Sequence, residues 1–180
     1  MQKTDLEEML LSIDEEAYLL LGAANPKPKV VIVGGAAFLL RDLTPRKVTH
    51  DIDIYHADDA VAGVLASYPA LNGAVVAYFD QIPYNFEDRL ISLDLPTRTI
   101  DFVTPSVEDL VVMKLYAERP NDTQDIDGAV RVGSVDWDLL EELVYGRNEA
   151  RASALSERRY REMTEAYQRM KERFGRESDV

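Results

Sequence analysis

The chain has 180 residues, contains no cysteine and carries a formal net charge of −13. This length fits one domain, or one domain with a helical appendage, and the lack of cysteine excludes disulfides and thiolate zinc sites. So acidic a chain is a poor nonspecific nucleic-acid binder, because phosphates are repelled at long range, although a metal ion can bridge protein and phosphate. No apolar run reaches the roughly 20 residues of a membrane helix, and the acidic start MQKTDLEEML does not resemble a signal peptide. We therefore expect a cytoplasmic protein with no membrane partner.

Strand and helix patterns alternate through the first part of the chain. In chain order they predict a helix over 5–21, a strand over 30–33, a short helix over 36–41, a strand over 51–55, a helix over 58–68, and strands over 74–79, 90–95 and 98–103. The run at 30–33 is wholly apolar and β-branched, which is typical of a buried strand.

Only helical patterns follow residue 103. They cover 106–119, 122–131, 137–145 and about 153–174. The sequence therefore predicts an α/β (α+β) fold, in which a small mixed β-sheet has flanking helices and a helical C-terminal part. We expect a core over 1–131, with the N-terminal helix included, and a helical extension over 132–180 that packs on the core.

The segment Thr49-His50-Asp51-Ile52-Asp53-Ile54-Tyr55 places two acidic residues on one predicted strand. Because alternate side chains of a strand share a face, Asp51 and Asp53 project together, while Ile52 and Ile54 face a core. Paired carboxylates repel each other unless a cation lies between them. Carboxylate oxygens on a rigid strand suit Mg²⁺ or Mn²⁺. The alternative is an exposed acidic face of an edge strand.

Asp101 repeats the pattern on a later predicted strand, between Ile100 and Phe102. If that strand neighbours the one with Asp51 and Asp53, three carboxylates converge, as two-metal phosphoryl transfer requires with ions about 3.5–4 Å apart. We expect this convergence, and a separation of Asp101 from both others beyond about 10 Å would contradict an active site built on the three carboxylates. The alternative is again a solvated strand face.

Gly34 and Gly35 lie between the buried strand and the short helix that follows. Such a turn leaves backbone N–H groups open to a phosphate near the positive end of a helix. It has neither the G-x-G-x-x-G pattern of dinucleotide sites nor the G-K-[ST] of a P-loop. A tight turn without a ligand is the alternative for these glycines on their own.

Lys114 lies on the apolar stripe of the helix predicted over 106–119. A buried lysine needs a partner, which a phosphate or Asp125 would supply; the alternative is that its stem covers the core and its charge reaches solvent. A role as the cap of the next helix already accounts for Asp122, so we prefer Asp125 as the partner of Lys114. Arg46 belongs to a basic segment over 41–50 that could meet a nucleotide or an RNA acceptor, or form a solvated loop.

Taken together, these parts resemble the nucleotidyltransferase superfamily with the polymerase-β-like fold. The finer pattern is similar to the AbiE-type toxins and related bacterial nucleotidyltransferases, and it covers about residues 29–131. It comprises Val33-Gly34-Gly35-Ala36, Arg46-x-x-Thr49-x-Asp51-Ile52-Asp53, Pro105-Ser106-x-Glu108-Asp109-Leu110, Lys114-Leu115-x-Ala117 and Asp122-x-x-Asp125-Ile126. Many superfamily members have Gly-Ser at the turn, whereas Gly35 and Ala36 here carry no hydroxyl, so backbone groups would have to bind the triphosphate.

The resemblance implies a role for each candidate residue. Asp51, Asp53 and Asp101 would hold Mg²⁺ or Mn²⁺, with Asp101 completing the metal site or activating the acceptor. The triphosphate would lie on Gly34 and Gly35. Lys114 and Asp125 would form a second polar cluster, and Arg46, Thr49 and Lys114 are assigned to nucleotide binding.

The implied reaction moves a nucleoside monophosphate from a nucleoside triphosphate to an RNA, protein or small-molecule acceptor. The same resemblance makes a tRNA one candidate acceptor and an antitoxin protein one candidate partner. The alternative is a catalytically silent module of this fold that binds a protein partner, through the Met/Tyr/Phe stripe of the helix predicted over 153–174.

Overall fold

The computed structural model describes residues 1–73 and 79–175 of the chain. Within these ranges the strands form one mixed sheet in the order β3-β2-β1-β5-β4. Their bounds are β1 (Lys29–Val33), β2 (Ile52–Ala57), β3 (Leu71–Asn72), β4 (Ile91–Ser92) and β5 (Asp101–Thr104). The central strand β1 runs antiparallel to β2 and parallel to β5. At the edges β3 is parallel to β2, and β4 is antiparallel to β5.

Helices flank this sheet and make up most of the second half of the chain. They are α1 (Lys3–Leu21), α2 (Gly34–Leu40), α3 (Asp59–Leu65), α4 (Val107–Leu115), α5 (Pro120–Arg131), α6 (Trp137–Tyr145), α7 (Ala150–Ser153) and α8 (Glu157–Arg173). A 3-10 helix spans Phe86–Arg89. The predicted fold class, a mixed sheet with flanking helices and a helical C-terminal part, is confirmed.

The hydrophobic core lies around β1, as its wholly apolar sequence predicts. Residues 30–33 are almost completely buried, because β2 and β5 pair with β1 along its two edges and α2 packs against it. On α1 the buried stripe has the spacing of helical turns, with Leu6, Leu10, Ile13 and Ala17 all inaccessible to solvent. The central strand is therefore held firmly in the core, and it provides a rigid base for the turn at Gly34 and Gly35 that follows it.

The strand predicted over 98–103 begins only at Asp101, and the reason is a buried carboxylate on α1. Asp14 accepts hydrogen bonds from the backbone N–H groups of Arg98 at 2.7 Å, Thr99 at 2.8 Å and Ile100 at 2.7 Å. These amides are satisfied by a side chain instead of a neighbouring strand. The same contact ties α1 to the start of β5.

Other elements differ from the predictions mainly in length. The strand predicted over 90–95 is reduced to Ile91–Ser92, and the one predicted over 74–79 falls mostly on residues 74–78, which lie outside the described residues. The helix predicted over 106–119 ends at Leu115, and Glu118 adopts a positive φ of 47° beyond it. The pattern over 153–174 corresponds to the end of α7 and to α8.

The C-terminal helices pack on the rest of the chain through α4, which contacts both α6 and α8. On α8 the apolar stripe faces inward, and Met163, Ala166, Tyr167 and Met170 are buried. The packing brings the first turn of α8 close to the end of α4. None of the helices within residues 1–73 and 79–175 has the length and apolar character needed to cross a bilayer.

Candidate active site

A cleft of about 730 Å³ opens where β1 ends. Its walls come from the β1–α2 turn, the chain leading into β2, the facing side of α4, the start of α5, and the first turn of α8. The polar and glycine residues that line it are Gly34, Gly35, Arg46, Thr49, His50, Asp51, Asp53, Asn72, Gln81, Lys114, Tyr116, Arg119, Asn121, Asp122 and Arg159. Most of the residues singled out in the sequence therefore share one cavity.

Asp51 and Asp53 both line the cleft, as their alternation predicts. Asp53 lies on β2 opposite Val33, the last residue of β1, and Asp51 directly precedes the strand. Ile52 and Ile54 face the opposite way and are buried. The two carboxylates therefore project from a strand whose other face is anchored in the core.

The Asp53 carboxylate is held in a partly desolvated position. Its Oδ1 accepts a hydrogen bond of 2.9 Å from Nδ2 of Asn72 on β3. Burial raises the pKa of Asp53 and the negative charge of Asp51 raises it further, while the Asn72 hydrogen bond and the cations of Lys114 and Arg119 oppose the rise. A cation placed between the two carboxylates would favour the ionised form of both.

The diglycine turn is shaped by close approach of two polar side chains. Gly34 has a φ of +66°, and a Cβ there would overlap Oδ2 of Asp53. A Cβ on Gly35 would lie 2.5 Å from Nη2 of Arg46 and 3.4 Å from Oγ1 of Thr49. A side chain at Gly34 would displace Asp53 and would also need the left-handed conformation that glycine adopts readily. A side chain at Gly35 would displace the end of the Arg46 side chain.

Two arginines, one lysine and two buried aspartates form an ion-pair cluster beside the turn. Arg46 binds Asp125 through two hydrogen bonds, Nε to Oδ1 at 2.7 Å and Nη2 to Oδ2 at 2.8 Å. Nζ of Lys114 lies 2.9 Å from Oδ2 of Asp125 and 2.6 Å from Oδ1 of Asp122. Asp122 also accepts a 2.8 Å hydrogen bond from Nε of Arg119.

Within this cluster Lys114 is both buried and paired with carboxylates. The lysine is 7% exposed, lines the cleft and contacts Asp125, as predicted. Asp122 was assigned only a capping role, and it does accept the N–H of Arg119 in that role at 3.1 Å, but it also binds Lys114. Burial opposes ionisation of Asp122, yet the hydrogen bonds and charges of Arg119 and Lys114 prevail and lower its pKa. Three cations face two carboxylates, so the cluster retains a net positive charge.

The structure does not bring Asp101 to the other two aspartates, which corrects the expected convergence. In the parallel pairing of β1 with β5, Asp101 lies opposite Lys29, whereas Asp53 lies opposite Val33 at the other end of β1. Four residues of strand separate the two positions, which is about 13 Å at 3.3 Å per residue. The Asp101 carboxylate instead accepts a 2.7 Å hydrogen bond from Oγ of Ser92 on β4.

The side chains near Asp51 and Asp53 determine which kind of metal ion could bind there. Within the described part of the chain no group of three or more histidine, cysteine or acidic side chains is arranged to hold a metal ion, so a closed three-carboxylate site is not formed. Mg²⁺ is usually held by one or two carboxylates together with phosphate oxygens and water. Asp51 and Asp53 fit that incomplete site, which a bound nucleotide would complete.

Several lining residues were missed in the sequence. Asn72, Gln81, Tyr116 and Arg159 come from four separate places in the chain, and no local spacing connects them with the aspartates. One signal was present in the sequence: Arg159 lies four positions before Met163, at the start of the apolar stripe of α8. That spacing predicts that Arg159 faces the protein but does not identify the residues that it contacts.

Comparison with known proteins agrees with this geometry. A family model described as "Nucleotidyltransferase of unknown function (DUF6036)" matches residues 8–175. No curated protein and no solved structure gives a significant match. The matched range contains the diglycine turn, the acidic pair, the ion-pair cluster and α8. Because the match spans nearly the whole chain, the protein belongs to this nucleotidyltransferase family.

Proposed function

We propose that this protein is a metal-dependent nucleotidyltransferase that moves a nucleoside monophosphate from a nucleoside triphosphate to an acceptor hydroxyl, with release of pyrophosphate. The observation that carries the proposal is the meeting of three groups in one cleft: the diglycine turn, the Asp51–Asp53 pair and the cationic cluster around Lys114. Membership of the nucleotidyltransferase family supports the same reaction class.

Each group has a distinct task in this reaction. Gly34 and Gly35 leave room for Asp53 and Arg46 beside the turn. No side chain of the described residues caps the first turn of α2, so a triphosphate would meet its backbone N–H groups next to these two side chains. Arg46, held by Asp125 next to Gly35, orients the phosphates. Lys114 and Arg119 add positive charge to the same wall. Fixed charges of this kind stabilise a transferring phosphoryl group without reorganisation during the reaction.

Asp51 and Asp53 would hold Mg²⁺ or Mn²⁺. When bound there, the divalent ion would neutralise phosphate charge and so help pyrophosphate to leave. The partly buried Asp53 keeps its carboxylate in place through Asn72, and Asp51 supplies the second, more exposed oxygen ligand. Two carboxylates at the end of an anchored strand are compatible with a metal ion that the nucleotide also binds.

As acceptor we propose a hydroxyl of an RNA, a protein or a small molecule. The resemblance to AbiE-type toxins favours a tRNA, and a role beside an antitoxin protein. The strongly acidic chain gives no general attraction for RNA. Recognition of a tRNA would therefore depend on local contacts at the cleft, such as those of Arg119, whose side chain is 73% exposed.

The alternative of a silent partner-binding module gains no support from α8. The apolar stripe that suggested a docking surface is buried against the rest of the chain. In addition, an unused acidic pair beside Gly34 would only cost stability through charge repulsion.

The proposal is tested by incubating the protein with each α-labelled nucleoside triphosphate, Mg²⁺ or Mn²⁺, total RNA and total protein. Label should appear on one acceptor class only when metal is present. The Asp53→Asn variant should lower the rate about a hundredfold or more, because it removes a transition-state interaction. Asp59→Asn, which changes an exposed carboxylate at the start of α3, is the matched control. Equal labelling by wild type and Asp53→Asn, or labelling that persists with chelator, would contradict the proposal.

A further inference from the structure

One wall of the cleft contains polar groups that the proposed transfer chemistry does not use. Tyr116 follows α4, Arg159 lies in the first turn of α8, and Gln81 precedes the 3-10 helix. The guanidinium carbon of Arg159 lies 5.8 Å from the centre of the Tyr116 ring. Tyr116 and Arg159 therefore lie side by side although they are far apart in sequence, and we call these two side chains together with Gln81 the outer wall of the cleft.

The hydrogen-bonding capacity of the outer wall is not satisfied inside the protein. The hydroxyl of Tyr116 and Nε of Arg159 are buried atoms that have no hydrogen-bond partner among the residues described here. Nε of Arg159 faces Oδ2 of the buried Asp80 at 3.4 Å, so its charge is balanced while its N–H remains without an acceptor. Most buried polar atoms in proteins have partners, so two cleft-lining side chains with such unpaired atoms favour this wall as a place where a ligand binds.

The chemistry of the outer wall matches a flat ligand with polar edges. Leu110, Met113 and Ala117 lie on one face of the α4 segment and give the cleft apolar surface. Aromatic rings and arginine planes stack on nucleobases, and amide or guanidinium groups bind base edges. Burial raises the pKa of Tyr116 to about 12, and the charge of Asp80 acts in the same direction, so the hydroxyl remains a donor at neutral pH.

We propose that Gln81, Tyr116 and Arg159 form the subsite for the base of the nucleoside triphosphate, and that Asp80 positions Arg159. This inference rests on the proposed function. A polyanionic acceptor is less suited to the outer wall, because the chain is strongly acidic and Asp80 already balances the charge of Arg159. The triphosphate would lie at the diglycine turn, and the base would reach across α4 to the outer wall.

The test compares four nucleotides with a ligand that has no base. Non-hydrolysable analogues of the four nucleoside triphosphates, and inorganic triphosphate, are titrated calorimetrically with Mg²⁺ held constant. Wild type should bind one base in preference to the others. Arg159→Met and Tyr116→Phe should each weaken binding of that nucleotide roughly tenfold, which corresponds to about 1.4 kcal/mol, and should reduce discrimination between bases. Binding of inorganic triphosphate should not change.

Neighbouring residues supply matched controls. Arg158→Met removes an exposed arginine of the same helix turn that pairs with Glu162, and Tyr145→Phe removes a hydroxyl outside the cleft that accepts from Gln168. Both should bind like wild type. Arg159→Lys keeps the charge opposite Asp80 but loses the planar guanidinium, so it should lose base preference even if Arg159→Met fails to fold.

Three outcomes would overturn the inference. Unchanged affinity for all four nucleotides in Arg159→Lys and Tyr116→Phe, or an equal loss of inorganic triphosphate, would show that the outer wall does not bind the base. Wild-type affinity for nucleotides no greater than for inorganic triphosphate would overturn the base subsite and leave the proposed function standing. Absence of binding for nucleotides and triphosphate alike would overturn both.

Discussion

Replacement of Gly34 by alanine tests the link between the turn and the acidic pair. The substitution places a Cβ where Oδ2 of Asp53 lies, at a residue with a φ of +66°. The left-handed conformation costs a non-glycine residue about 1–2 kcal/mol. Moving Asp53 also breaks its hydrogen bond from Asn72, which costs about 1.5–3 kcal/mol because the acceptor is charged. The expected destabilisation is the sum of the two contributions, about 2.5–5 kcal/mol.

Gly133→Ala provides the matched control for this variant. Gly133 has a φ of +71°, but a Cβ there would meet no atom within 4 Å. It should therefore cost only the backbone term of about 1–2 kcal/mol and leave the cleft intact. Urea unfolding measures the two stabilities, and calorimetric titration with Mg²⁺ and nucleotide measures binding. Gly34→Ala should lose that binding, whereas Gly133→Ala should keep it. Equal destabilisation by both variants, with nucleotide binding retained in Gly34→Ala, would refute the reasoning.

Two further predictions concern the ion-pair cluster. Lys114→Met should destabilise the fold by about 2–3 kcal/mol, since Asp122 and Asp125 each keep an arginine partner, and it should abolish nucleotide turnover. Lys171→Met, which changes an equally buried lysine outside the cleft, should leave turnover unchanged, and an active Lys114→Met would show that Lys114 only covers the core. The lowered pKa of Asp122 means that its contribution to stability is present above its unfolded pKa of about 3.9 and is lost as pH falls through the lower folded value. Urea midpoints should therefore fall more steeply below about pH 4 in wild type than in Asp122→Asn, and parallel pH profiles would contradict this.

Local sequence was sufficient to predict a feature where the residues next to it in the chain determined its environment. The apolar run around Val31 predicted the central strand, and alternation predicted that Asp51 and Asp53 share a face. The position of Lys114 on an apolar stripe predicted a buried charge that needs a phosphate or Asp125 as its partner, and the structure pairs it with Asp125. In each case periodicity decides which face of the element a side chain occupies.

Local sequence was insufficient to predict the position of a residue where that position depends on the register between strands or on a contact with a distant part of the chain. Alternation placed Asp101 on a strand but could not show which end of β1 it would lie against, and the parallel register puts it opposite Lys29. Asp14 shortened β5 through hydrogen bonds that span more than 80 positions in the chain. Arg159 reaches the cleft only because α8 packs on α4.

The central claim is that Asp51 and Asp53, without Asp101, form the metal-binding part of the cleft. The most direct measurement is the rise in melting temperature on addition of Mn²⁺ with a nucleotide analogue, since a ligand that binds only the folded state at a hundred times its Kd stabilises it by about 2.7 kcal/mol. Wild type and Asp101→Asn should show the same rise, and the double variant Asp51→Asn, Asp53→Asn should show none. A full rise in the double variant, or its loss in Asp101→Asn, would contradict the account.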